Sequence, residues 1–344
     1  MSQYCAPAVP SSPGAYAAAF ANLQHTYTEW GAADGAIPIT LPDGRVVWLF
    51  GDTYVGSVNG DGSFSPPNNL INNSFIVQTG HCFAPLMGGG PRARSSLIPS
   101  PGAGQVYWPA SGYVENGVLR VVLWRMQISG GGFSAISLEI ATFSLPGLVQ
   151  QGAPVRIPAA SQSRPFGATS FADGGFVYFY GANSKLDVAP RVENIFVARA
   201  TLGSTTAFSS WQFWNGATWT NDPNASTSMS FAPQPLPGAP IGLNVPVSQL
   251  WVTRSPSSAN YLGTAKFIDA FTADISLFSA PAPAGPWTYV GEVANSGPWG
   301  PSYGAMTRIG LPGGTGPTVI FSNNHGANIN AYGPRFLNPA FGLP

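Results

Sequence analysis

Charge is what this 344-residue chain has least of. Only 8% of its residues are Asp, Glu, Lys or Arg, against roughly a quarter in ordinary soluble domains. Acids and bases number 14 each, so the formal net charge is zero, and lysine occurs at Lys185 and Lys266 alone. With no basic stripe to neutralise phosphates, nucleic acid is not an expected partner. No apolar run approaches the roughly 20 residues that a helical span requires, so no membrane span is expected. Ala15–Ala21 is apolar but short, and no basic residue precedes it, so it does not read as a leader peptide. Cysteine is equally scarce. Cys5 and Cys82 are the only two; they either form a disulfide that pins the N-terminal arm or remain as buried thiols. No CxxC pair or histidine cluster accompanies them, so no metal is expected. GxSxG, Walker-type and HExxH motifs are missing, which leaves serine-hydrolase, nucleotide and zinc-protease chemistry without support. No cofactor is expected either.

What the chain has is turns. Glycine (42) and proline (34) are abundant and hydrophobic residues make up 44%, a composition that argues against long helices and supplies an ample core. A short apolar pattern recurs: Val47-Trp48-Leu49-Phe50-Gly51-Asp52, Val177-Tyr178-Phe179-Tyr180-Gly181-Ala182 and Thr318-Val319-Ile320-Phe321-Ser322-Asn323. Each follows a glycine-containing turn. Val118–Arg125, after Asn116-Gly117, is a fourth copy, and Tyr261–Asp269 a looser fifth. A second element follows four of them, at Asn73–Val77, Ile136–Ala141, Asn194–Arg199 and Asp274–Ser279. Repeated small antiparallel sheets indicate radial repetition. The expected fold is all-β, a five-bladed β-propeller; a β-sandwich with insertions or two small β domains are the alternatives. Residues 1–29 read as an N-terminal arm that could close the last blade, and residues 30–344 as a single propeller domain. The Pro/Gly-rich stretches Pro233–Pro246 and Ser279–Pro286 read as loops between strands.

The first copy belongs to a hairpin. Asp43-Gly44 is a strong turn signal between two extended runs, and folding there brings Asp34 toward Asp52. A two-residue loop would pair positions summing to 87 and leave the two acids one residue out of register. A three-residue loop centred on Asp43 pairs them directly. Because the repeat counterparts of Asp52 are Ala182 and Asn323, the fold does not itself require an acid there. Asp52 could still do no more than bond amides of its own turn.

In a propeller, alternate strand ends share one face. Asp34, Asp52, Asn73, Trp108, Glu193, Asp269, Tyr303, Asn323 and His325 are thereby expected on a single surface. Carboxylates can carry acid–base chemistry, amides bond hydroxyls and rings stack on sugars. Asp34 and Asp52 are the candidate catalytic pair, and the other seven are candidate substrate-binding residues. Blander roles compete: Glu193 could pair with Arg191, Asp269 could serve a turn, His325 could be structural and Trp108 could be core.

The combination of Asp34, Asp43–Thr53, Asn72-Asn73-Ser74 and Gly285-Pro286-Trp287-Thr288 resembles the endo-D-arabinanases, a five-bladed-propeller glycoside hydrolase family first described as a domain of unknown function. The resemblance spans roughly Trp30 to Phe336 and is patchy between motifs. It implies endo-hydrolysis of α-D-arabinofuranosyl linkages in arabinogalactan or lipoarabinomannan, with paired aspartates matching Asp34 and Asp52. It also implies a monomeric enzyme outside the cell or in the envelope, with the polysaccharide as its partner. Units two and three are poorer in acids than related propellers. A non-catalytic carbohydrate-binding propeller, such as a cell-surface or virion adhesin, is the rival reading. A protein-interaction propeller is a third.

Overall fold

The structure is a computed structural model. It describes residues 3–26, 30–56, 58–59, 69–90, 93–161, 163–183, 194–232, 249–266, 273–300, 302–314, 316–323 and 332–344. The chain is built mostly of β-strands, with one α-helix and three short 3-10 turns among the described residues.

Five larger antiparallel sheets follow one another along the sequence, and two small ones accompany them, Gly88–Gly90 with Ala93–Ser95 and Ala32–Ala33 with Thr53–Val55 and Asn69–Ile71. The first contains Ile37–Thr40, Val46–Phe50, Ser74–Thr79 and Cys82–Leu86, and the second Gln105–Glu115, Val118–Ser129 and Gly132–Ser144 with short edge pieces. The third contains Thr169–Asp173, Phe176–Asn183, Asn194–Thr201, Gln212–Trp214 and Trp219–Thr220. Trp251–Arg254, Tyr261–Lys266, Asp274–Ala280 and Thr288–Asn295 make the fourth; Ser302–Arg308, Thr318–Asn323 and Gly333–Leu337 make the fifth. In all five, the second strand is the recurring apolar segment. Val46–Phe50 is apolar and buried throughout, as a strand covered on both faces should be.

The first strands of successive sheets pack on one another, from 37–40 to 105–115, 169–173, 251–254 and 302–308. They are therefore the innermost strands. Apolar wedges fill the space between neighbouring sheets. Ile140, Phe166, Phe179 and Trp211 lie between the second and third, Tyr180, Leu250 and Trp287 between the third and fourth, and Leu262, Leu277, Val319 and Phe321 between the fourth and fifth.

The arm meets both ends of this series. Its strand, Tyr4–Cys5, pairs with the outer edge of the first sheet, where Cys5 and Cys82 form a disulfide. The adjacent His81 has its ring near both sulfurs, but the thiols are spent on each other. The Ala15–Ala21 run lies inside the helix Pro13–Thr26. Ser12 caps it, its Oγ accepting from the Ala15 N–H at 3.2 Å, and Pro13 sits at the first helical position, where no N–H is needed. Tyr16, Ala19, Phe20 and Leu23 form the buried face at helical spacing. Phe20 touches Trp48 of the first sheet and stacks on Phe336 of the fifth at 5.4 Å. Each large apolar side chain buried there stabilises by roughly 1.5–3 kcal/mol, so the helix cross-links the first and last sheets.

Candidate active site

The Asp43-Gly44 hairpin takes the three-residue form. Leu41 and Arg45 close the loop at 2.8 Å, and Ile37 faces Leu49, Pro38 faces Trp48 and Thr40 faces Val46. The same register continues past the strand ends, where Ala33 faces Thr53. Asp34 and Asp52 therefore stand opposite each other, and the Asp34 N–H donates to the Asp52 carbonyl oxygen at 3.2 Å. Two glycines make room. A Cβ on Gly51 would lie 2.5 Å from Asp34 Oδ1, so only glycine lets that carboxylate fold over the facing strand. Gly35 has φ +105° and donates to Ser322 Oγ of the fifth sheet at 2.7 Å. The equivalent of Gly51 in the third sheet, Gly181, is crowded instead by the backbone of Pro165.

The two carboxylates differ in their neighbours. Asp34 Oδ2 accepts a hydrogen bond from the Tyr303 hydroxyl, and the Tyr332 hydroxyl lies within bonding reach. Asp52 Oδ1 accepts from Trp108 Nε1 at 2.7 Å and from Asn72 Nδ2 at 2.9 Å. Burial pushes the Asp34 carboxyl up to about 7, with the charge of Asp52 adding to the shift and the tyrosine hydroxyls opposing it. Burial also raises Asp52, but its indole and amide donors hold the anion and restrain the rise. Burial and the facing acids push the Tyr303 and Tyr332 phenols far above their usual range, so both remain donors.

No described Arg or Lys forms an ion pair with either acid, whereas the buried Glu115 and Glu139 are held by Arg120 and Arg125. Two half-buried acids without a cation, one protonated near neutrality and one held as an anion, can donate a proton and act as nucleophile or base.

Beside them the second sheet rises beyond its neighbours. A bulge between Arg125 and Met126 leaves Ile136 unpaired and bends the tip of the hairpin. Phe133 on that tip meets the Trp108 ring edge-on at 5.2 Å and is 69% exposed.

Of the other candidates, Asn73 is not at the cleft. It is wholly buried, with Nδ2 bonded to the Ile98 and Tyr107 carbonyls and Oδ1 accepting from the Ile98 N–H, so its neighbour Asn72 makes the contact with Asp52. Asn323 ends the second strand of the fifth sheet, level with the site, but is 1% exposed. Glu193, Asp269 and His325 lie outside the described residues. Tyr332 and Phe133 carry no sequence signal: the first follows an irregular Asn-rich stretch and the second sits beside a Gly-Gly turn.

The fold is shared with solved structures of low sequence identity, some of them glycoside hydrolases. The structure superposes on a Bacteroides ovatus protein provisionally described as a hydrolase, with TM-score 0.70, 18% identity, and coverage of 93% of this chain and 88% of that one. It is also similar to a GH43 β-xylosidase/α-arabinofuranosidase from a compost metagenome (TM-score 0.57, 12% identity, 98% and 95% covered). A GH43 enzyme from Xanthomonas citri in complex with xylotriose gives TM-score 0.52 at 13% identity, with 96% of both chains covered. No curated protein matches the sequence. Residues 17–295 match the family described as "Domain of unknown function (DUF5005)", and the chain belongs to that family.

Proposed function

We propose that the protein is a five-bladed-propeller glycoside hydrolase, its five sheets being blades around one channel, with Asp34 and Asp52 as its catalytic pair. The reading is carried by two facing carboxylates that have no cation beside them among the described residues and differ in acidity. Protonated Asp34 gives its proton to the glycosidic oxygen as the bond to C1 breaks. Asp52, held ionised by Trp108 and Asn72, attacks C1. Water then adds to C1, returning a proton to Asp34 and releasing Asp52. Directly opposed strand residues have Cβ atoms about 5 Å apart; carboxyl groups equally close would favour this retaining, double-displacement route. Trp108 and Phe133 offer ring faces for sugar binding.

The proposed substrate is a D-arabinan, cut internally at α-D-arabinofuranosyl linkages. The resemblance of the Trp48–Thr53 hairpin and the Asn72–Ser74 strand entry to endo-D-arabinanases supports it. An extracellular or envelope location and a monomeric state accompany this substrate, and the disulfide suits an oxidising compartment.

Incubation with purified arabinogalactan, read by thin-layer chromatography, tests the proposal. Release of oligosaccharides by the wild type, abolished in Asp34→Asn and in Asp52→Asn, is the expected result. Binding without new reducing ends would replace the hydrolase by the adhesin reading.

A further inference from the structure

The innermost strands converge a second time, at the ends remote from the acid pair. There, Pro38–Thr40, Gly112–Val114, Ser170–Ala172 and Arg308–Leu311 surround a cavity of about 210 Å³. Arg308 is the one charged residue in that lining. Its Nε is buried and has no acceptor, and no carboxylate forms an ion pair with it among the described residues. The Trp251 ring lies 5.4 Å from the guanidinium carbon, its one cation–π neighbour among the described residues. Nearby groups that could neutralise it are otherwise engaged. Asp173, at the end of the third innermost strand, is bound by Arg254 and by the Tyr261 hydroxyl, both at 2.9 Å, while Tyr113 donates to Thr205.

Four other arginines are held by acids. Arg45 meets Asp43, Arg120 meets Glu115, Arg125 meets Glu139 and Arg254 meets Asp173. Desolvating a cation without a counter-charge is costly. Burial does pull the Arg308 guanidinium down to about 10, yet it remains a cation at neutral pH.

We infer that the far mouth of the channel is a binding site for a small tetrahedral oxyanion, phosphate or sulfate, held by the forked donors of Arg308. The guanidinium geometry matches such an anion through two parallel hydrogen bonds, which a halide cannot accept in the same way. The volume is ample for one oxyanion and a partial hydration shell. That size favours a free inorganic ion over a group carried on a macromolecule. The inference does not rest on the hydrolase reading.

Titration calorimetry of the full chain with sodium phosphate or sulfate, against sodium chloride at matched ionic strength, tests it. One site per chain and a melting temperature raised beyond the chloride control are expected. Arg308→Gln should weaken binding at least about tenfold, since a hydrogen-bonded charge pair contributes about 1.5–3 kcal/mol, and Arg308→Lys should restore only part of it. Should the variants fail to fold, phenylglyoxal modification of the wild type, mapped by mass spectrometry, gives a second readout: phosphate should protect Arg308 and leave Arg156 reactive. Oxyanion heats and melting shifts no larger than those of chloride, undiminished binding in Arg308→Gln, or no protection of Arg308 would each overturn the assignment.

Discussion

The two ends of the innermost strands are opposites in chemistry although the same strands build both. At one end Asp34, Trp108 and Tyr303 bring acids, an indole and a phenol together. At the other, Arg308 stands over a cavity with no acid in its lining. Both ends strand a charge, but differently: the acids can share or shed a proton, whereas a guanidinium cannot and must find an anion. In a chain so poor in charge, ionisable groups with no counter-charge among the described residues are the natural candidates for places where something else binds. Of the paired ones, Glu115 ties the second sheet to Gly203 and Thr205 beyond the third sheet's strand, and Asp173 of the third sheet meets Arg254 of the fourth.

The largest expected break in this comparison comes from the three aspartates of one hairpin. Asp34→Asn or Asp52→Asn should lower kcat at least about 10²–10⁴-fold. Asp43→Asn, at the turn on the opposite side, should change kcat less than twofold and cost at most about 1 kcal/mol, because the Asp43–Arg45 pair is on the surface. Steady-state rates and chemical denaturation check both halves.

The next effect is in pH. The activity profile should be bell-shaped, its acidic limb set by ionisation of Asp52 and its basic limb by loss of the Asp34 proton near 7. Stability carries the same signature. Between about 4 and 7 the folded chain holds a proton on Asp34 that the unfolded chain has released, so stability should fall as pH rises through that window. Melting curves of the wild type and of Asp34→Asn should diverge there, with the variant flatter.

Smaller still, Trp108→Phe keeps a ring and removes the Nε1–H donated to Asp52. A hydrogen bond to a charged group contributes about 1.5–3 kcal/mol, so the acidic limb should move to higher pH while the basic limb stays near 7. A shift of the basic limb instead would exchange the roles of the two acids. The smallest effect is expected of Phe133→Ala. It should raise KM on polymeric substrate a few-fold, the loss of a ring stack of about 0.5–1.5 kcal/mol, and leave the rate on a short aryl glycoside unaltered.

Much of the framework was legible because its determinants are local. The recurring apolar segments mark the second strand of each of the five larger sheets, and the Asp43-Gly44 turn with its spacing set the choice between two registers. The glycine of Phe50-Gly51-Asp52 was visible as a motif, but its reason, space for the Asp34 carboxylate, needs the opposite strand. Asn72 and Asn73 show how sharply a strand entry must be placed. The strand begins at Ser74, and a shift of one residue exchanges the amide that serves the loop for the one that reaches Asp52. The helix was hidden in an Ala-rich run whose polar face carries almost no charge, so the usual charged-face signal was missing. Tyr332 and Arg308 are distant in sequence from what they face, and no local pattern announces either.

The helix Pro13–Thr26 has a consequence for assembly. It rests on Trp48 from one extreme of the series and on Phe336 from the other, like a clasp that needs both ends of a belt. Synthesis proceeds from the N-terminus, so this early segment waits for nearly the whole chain before it has a surface to grip. The acid pair waits with it, since Tyr303, Ser322 and Tyr332 arrive from the late strands. A nascent chain thus carries both aspartates long before the surroundings that tune them exist, and the pair acquires its differing acidities only once the last sheet has joined the first.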